Sequence, residues 1–268
     1  GDRKATGLTE DEIEELIQDF VAAAKRVEAA GGDGVEIHAA HGYMLTQFLC
    51  PDLNTRSDRW GGTSLENRAR LTREVTRRIR AAVSPSFIVG IRISAQAGYD
   101  TAGWNVDADE AIQVAKWAAE DGCAYVSVSM FGHSPTLVAA KHIEAAAAAA
   151  EQAQAQAQEE ALTPLAGLYR AALPDDVVLI VCGGVASAGD VRALLALGVD
   201  VVAVGLTGIS TPEFPELCVS DAGFRVQQTP PFSEEFLKSV DLSQPFIDYL
   251  RTWNSNRRWK KQQLMIQE

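Results

Sequence analysis

The sequence predicts an α/β protein, and three observations predict it. Helical and extended segments alternate from about residue 9 to residue 211, which implies parallel βαβ units. The extended segments are apolar and rich in β-branched residues, as in a sheet covered on both faces. Polar residues then gather where several different strands end: His38 and His41, Arg92, Ser127 and Ser129, Gly183 and Gly184, and Gly205. That convergence suits a (β/α)8 barrel of the TIM type, whose site is built from the tops of several strands. A doubly wound dinucleotide-binding sheet fits less well, because no GxGxxG follows the first strand. Five strands can be counted in the sequence, fewer than a closed barrel needs. The predicted barrel is therefore incomplete.

Each element has its own signal. "LTEDEIEELIQDFVAAAKRVEAAGG" opens with a capping box, Thr9 and Glu12, and Leu8 and Ile13 can staple it. Ile13, Leu16, Ile17, Phe20, Val21 and Ala24 recur at helical spacing, and Gly31 and Gly32 stop the helix before the strand "GVEIH" (34–38). Thr63 and Glu66 predict a second capping box, ahead of a helix that leads to the strand "FIVGIRIS" (87–94). Asp107 caps the helix before "AYVSVS" (124–129). A helical stretch over 162–173 precedes "VVLIVCGGV" (177–185), and "SAGDVRALLALG" precedes "VDVVAVG" (199–205). Two domains follow, a partial barrel over 1–211 and a C-terminal extension over 212–268 that starts as loop and turns helical. The Ala/Gln/Glu tract at 142–162 reads as an exposed helical insertion without a catalytic role. The basic run "NRRWKKQQ" reads as a solvated end.

Composition narrows the function. A net charge of −12 argues against a nucleic-acid or anionic-membrane partner. No stretch is apolar and long enough to span a bilayer, and the first residues are too polar for a secretory signal. The four cysteines, Cys50, Cys123, Cys182 and Cys218, show no zinc spacing and imply a reducing, cytoplasmic compartment.

The chemistry-bearing stretch is "EIHAAHGYMLTQFL" (36–49). His38, His41 and Tyr43 cluster where the first strand ends. They are either ordinary satisfied side chains or donors aimed at one oxygen, an oxyanion-type clamp. No third ligand stands ready to make the pair a zinc site, so no metal is expected. Arg92 places a cation inside an apolar strand. Its partner is either a core carboxylate such as Glu36 or an electron-rich ligand. Gly183, Gly184 and Gly205 either simply end strands or let backbone N–H groups approach a phosphate. The stretch "NTRSDRWGGTSLENRAR" (54–70) reads as a solvated loop with a cap or as an ordered polar network.

Taken in order, "DGVEIHAAHGYMLTQFL", "NTRSDRWGGTSLENRAR", "VGIRIS", "VCGGV" and "VAVG" resemble the old yellow enzyme family of FMN-dependent ene-reductases. The resemblance spans about residues 9 to 211. It implies a (β/α)8 barrel with FMN at its mouth, and aligns residues 34–39 with the family's fourth strand. It implies that His38 and His41 donate hydrogen bonds to the carbonyl or nitro oxygen of an electron-poor alkene. Tyr43 then matches the proton donor to the α-carbon, while hydride comes from flavin reduced by NAD(P)H. Arg92 matches the arginine at the pyrimidine edge of the flavin, where it favours the anionic reduced form. Gly183, Gly184 and Gly205 match the FMN phosphate region, and 54–70 matches a stretch assigned to stability.

Two departures stand out. Leu206 occupies the position after Gly205 where the family usually has a phosphate-binding arginine. Losing that charge-assisted contact costs about 1.5–3 kcal/mol. Counterparts of the family's first three strands are not found in the sequence. An open five-stranded sheet would expose two edges and an apolar inner face. The expectation is therefore a fragment, or a chain completed by another chain. The alternative to an active oxidoreductase is an inactive remnant or subunit that cannot bind FMN alone.

Overall fold

The computed structural model describes residues 6–95, 106–130, 164–228 and 230–255. Five strands form one parallel sheet in sequence order: β1 (Gly34–Ala39), β2 (Ile88–Ser94), β3 (Tyr125–Ser129), β4 (Val178–Cys182) and β5 (Val201–Ala203). The ladder is regular, with His38 opposite Arg92, Arg92 opposite Ser127, and Ser127 opposite Ile180. The sheet is thus the incomplete (β/α)8-type sheet that the strand count predicts. Its edges among the described residues are β1 and β5.

The helices lie where caps and periodicity put them. α1 (Glu10–Ala29) begins with the Thr9–Glu12 capping box. α2 (Met44–Leu49) follows β1 directly, and α3 (Leu65–Ala82) leads into β2. The cap of α3 is Ser64 rather than Thr63, since the Ser64 hydroxyl accepts the Asn67 backbone N–H. Adjacent Thr and Ser can each cap, and the backbone selects the residue whose oxygen meets the orphan donors. α4 (Ala108–Glu120) is capped by Asp107. α5 (Leu165–Ala172) and α6 (Ala188–Ala196, capped by Ser187) precede β4 and β5. Short helices α7 (Leu206–Ser210), α8 (Phe214–Ser220), α9 (Glu234–Ser239) and α10 (Gln244–Ser255) complete the described chain. The insertion over 142–162 and the basic run from Asn256 lie outside the described residues.

The core lies between one face of the sheet and the helices. Ile37, Val89, Ile91, Ile93, Val126, Val128, Leu179 and Val181 point there, and all are buried. They pack with Ile13 and Ile17 of α1, Leu71 and Val75 of α3, and Val114 of α4. The opposite face is partly exposed among the described residues, as the strand count leads one to expect. Its residues alternate with the core set, as strand geometry requires, and they are Glu36, His38, Arg92, Ser127, Ile180 and Val201 among others. This inner face is polar toward the tops of β1, β2 and β3, at His38, Arg92, Ser94, Ser127 and Ser129, and apolar on β4 and β5, at Val178, Ile180 and Val201; Ile88, Val178 and Val201 are exposed on it. Gly90 is needed on this face, because the ring of Tyr125 lies within 2.0 Å of where a Cβ would stand.

The polar stretch after α2 is an ordered network. Asn54 donates its amide to the carbonyls of Phe48 and Trp60, both at 2.7 Å, and Arg56 pairs with Asp58. The fully buried Arg68 donates Nε to the Leu49 carbonyl at 2.9 Å and meets the Glu110 carboxylate at 2.5 Å. These bonds fix the C-terminal end of α2, the helix that follows the turn carrying His41. In the C-terminal part, Phe214 joins the main core, whereas Phe232, Leu237, Ile247 and Leu250 form a small core of their own.

Candidate active site at the top of strands 1 to 3

The chain leaves β1 through Ala40 and turns at His41 and Gly42, with φ of 61° and 73°. His41 holds a left-handed backbone, uncommon for a residue with a side chain. Its N–H donates to Ser94 Oγ at the end of β2, at 3.0 Å. Its ring Nε2 lies 2.8 Å from Ser129 Oγ at the end of β3. The turn is closed by Gln47, whose amide donates to the Gly42 carbonyl at 2.8 Å.

This turn brings three predicted residues together. The rings of His38 and His41 are 5.2 Å apart and nearly perpendicular, at 68°. The Tyr43 ring stands 5.3 Å from His38 on the other side, and Tyr43 is 61% exposed. A strand residue, a turn residue and the cap of α2 therefore share one corner of the inner face.

Arg92 lies opposite His38 in the next strand. Its Nε is 3.0 Å from the Glu36 carboxylate, the core partner that the sequence offers for it. The N–H is not aligned on the oxygen: the contact is an ion pair without a hydrogen bond, and buried Nε keeps an unmet donor. Ser127 Oγ, next along the same row, is buried without a partner as well. Unmet donors beside a part-exposed guanidinium are what an acceptor-rich ring system would satisfy. In this respect the residues present fit a flavin.

The surroundings favour the neutral form of both imidazoles. Burial pushes the His41 pKa down to about 4, and the neighbouring His38 and Arg92 push the same way. His38 is also lowered, first by burial, then by Arg92, against a smaller opposing effect of Glu36. A neutral imidazole offers one N–H donor and one acceptor. Tyr125, below the clamp, has its pKa raised to about 12 by burial and by the Glu36 charge, so it stays protonated.

The glycines form a second group. Gly183 and Gly184 follow β4 with φ of 143° and 62°, and Gly205 follows β5. Cys182 and Ala203 are register partners, so the two loops leave the sheet side by side. Thr207 joins them by donating to the Val185 carbonyl at 2.6 Å. Gly183 cannot carry a side chain here, since a Cβ would stand 2.5 Å from that of Met130. Leu206 is 41% exposed beside them and brings no charge.

The sequence marks Ser129 only as a polar strand end and does not mark Ser94. The signal was the alternation "RIS" and "SVS", which puts both hydroxyls on the face of Arg92. Among the described residues no group of three His, Cys, Asp or Glu side chains could hold a metal. All four cysteines are free. No helix among the described residues is long and apolar enough to cross a membrane.

The NADH:flavin oxidoreductase / NADH oxidase family matches residues 2–180. An NADH oxidase of Thermoanaerobacter brockii is 34% identical over 218 residues, 78% of this chain and 30% of its own length. The NADH:flavin oxidoreductase FG08077 of Gibberella zeae is 33% identical over 230 residues, 82% of this chain and 51% of its own. Morphinone reductase in complex with tetrahydroNAD superposes with a TM-score of 0.59 at 26% identity, over 86% of this chain and 54% of that one. The chain spans about half the length of these relatives, or less. In keeping with the old yellow enzyme resemblance of its motifs, the protein belongs to the NADH:flavin oxidoreductase / NADH oxidase family.

Proposed function

We propose that this chain carries the substrate clamp of an FMN-dependent oxidoreductase that reduces activated C=C bonds with NAD(P)H. The observation that carries the reading is the pairing of His38 and His41, rings 5.2 Å apart, on the same face as Arg92 and beside Tyr43. Family membership and a morphinone reductase relative that binds a nicotinamide analogue support the cofactor and the reductant.

Each residue has a physical role in this reading. His38 and His41 donate N–H groups to one carbonyl oxygen of an enone or related electron-poor alkene. Being neutral, they withdraw electron density without surrendering a proton, and the positive charge of Arg92 favours the negative charge that grows on that oxygen. Donors placed where charge develops are worth about 3–4 kcal/mol each. Tyr43, at the open rim, gives its phenolic proton to the α-carbon. Arg92 and the loops at Gly183, Gly184 and Gly205 would hold the flavin. When bound, FMN supplies the reducing equivalents. Free thiols fit a reducing, cytoplasmic setting.

Two observations favour a second reading, in which the chain binds no FMN unless further β/α units, on this or another chain, cover the inner face. Ile88, Val178 and Val201 are 44%, 39% and 45% exposed there, and Leu206 brings no charge to the phosphate region. Reconstitution decides between the two. The chain is mixed with FMN, freed of excess, and assayed for NADPH-dependent reduction of 2-cyclohexenone. Retained flavin and turnover that falls about 10²–10³-fold in His38→Ala and in His41→Ala support the clamp. Undiminished turnover in these variants would refute it, and failure to retain flavin would favour the second reading.

A further inference from the structure

We propose that Glu36 is a positioning residue, a fixed counter-charge that draws the Arg92 guanidinium toward β1 and sets how much of its positive charge reaches a ligand on the inner face. The inference rests on the flavin reading above for its purpose, but its first test needs no flavin.

The strands carry almost no charge. Across β1 to β5 the only Asp, Glu, Lys or Arg residues are Glu36 and Arg92. Both belong to the inner face, one register row apart on neighbouring strands: Glu36 lies opposite Gly90, and His38 opposite Arg92. The two side chains meet, with Arg92 Nε 3.0 Å from the carboxylate. They stay 29% and 32% exposed, so the pair remains within reach of a ligand.

The lower row holds the carboxylate in place. Gly90 separates Glu36 from Tyr125 in the register. Having no side chain, it lets the Tyr125 ring lie across it. The phenol thereby comes within hydrogen-bonding reach of the Glu36 carboxylate. Glu36 is thus held between Tyr125, two strands away, and Arg92 on the next strand.

A part-exposed ion pair adds little to stability, so its main effect is on the local field. Beside the guanidinium, a carboxylate cancels part of the attraction that an anionic ligand would meet. His38 already senses both charges: Arg92 lowers its pKa and Glu36 opposes that effect. His41, Tyr125 and Cys182 sense Arg92 as well, and no second carboxylate stands on the five strands.

Ring NMR titration of His38 in the full chain reads this balance. The groups that bear on its ring are Arg92 on β2 and Glu36 on β1, with His41 and Tyr43 packed beside it. Glu36→Gln, of the same size without the charge, should lower the His38 pKa further, and Arg92→Gln should raise it. Glu36→Asp draws the charge back by one methylene and should give a smaller fall than Glu36→Gln. A far-ultraviolet spectrum like that of the unsubstituted chain shows that a variant is folded, and if Glu36→Gln is not, Glu36→Asp decides. An unmoved or raised His38 pKa in the folded Glu36 variants would overturn the proposal. In FMN-loaded protein, Glu36→Gln should favour reduced over oxidised flavin about tenfold more than the unsubstituted chain does, a rise of about 30 mV in the two-electron potential. An unchanged or lowered potential would also overturn it. Failure to retain FMN would count against the proposed function alone, because His38 titrates without flavin.

Discussion

The two faces of the sheet divide the work of the molecule. The face toward the helices is continuous and apolar: Ile37, Val89, Ile91, Ile93, Val126, Val128, Leu179 and Val181 are at most 2% exposed. The inner face carries Glu36, His38, Arg92, Ser127 and Ser129 on the same strands, one residue out of phase. A period of two lets one strand serve both ends. Stability is drawn from one side and the proposed chemistry from the other, so substitutions on the two faces should fail in different ways.

The largest stability effect should come from the covered face. Ile91→Ala should cost about 2–5 kcal/mol in urea unfolding, whereas Val178→Ala on the inner face should cost less than about 1 kcal/mol. Equal costs would show the inner face to be as tightly covered as the outer. Gly183→Ala should cost about 1–3 kcal/mol, from a backbone conformation closed to side chains and from collision with Met130.

A smaller effect should follow pH. The folded-state pKa of His41 is depressed, so the unfolded chain takes up its proton first. The histidine contribution to stability should be complete above about pH 6.5 and should diminish as the pH falls toward about 4. His38 adds to the same trend. His41→Gln should flatten this part of the stability profile, measured by thermal melts across the range. The smallest stability change belongs to Tyr43→Phe, within about 0.5 kcal/mol at an exposed position. Its turnover should nevertheless fall about 10²-fold, as expected for the loss of a proton donor.

Much of this was legible in the sequence because its signals are local. The Thr9–Glu12 box, the Asp107 cap and the five β-branched runs each lie within a few residues and specify an element. The tight grouping of His38, His41 and Tyr43 likewise marked one corner of the site. What was not legible depends on distance and on coverage. The grip of Ser94 and Ser129 on His41 joins residues 53 and 88 positions apart, and only the parallel register sets them opposite one another. The left-handed turn at His41 carries no residue preference strong enough to announce it. The polar half of the inner face was only partly legible, because Ile180, Val178 and Val201 keep β4 and β5 apolar on that side and mask the alternation that Arg92, Ser94, Ser127 and Ser129 show. Thr63 and Ser64 are chemically equivalent as caps, so the difference of one residue between them lies below what a sequence pattern resolves.

The central claim is that His38 and His41 grip one oxygen together. Titrating phenol into FMN-loaded, histidine-labelled protein tests it most directly, through the ring N–H protons of both residues. The account predicts that both move downfield along one binding curve, with a single dissociation constant. A shift confined to one ring, or two rings responding at different phenol concentrations, would contradict it.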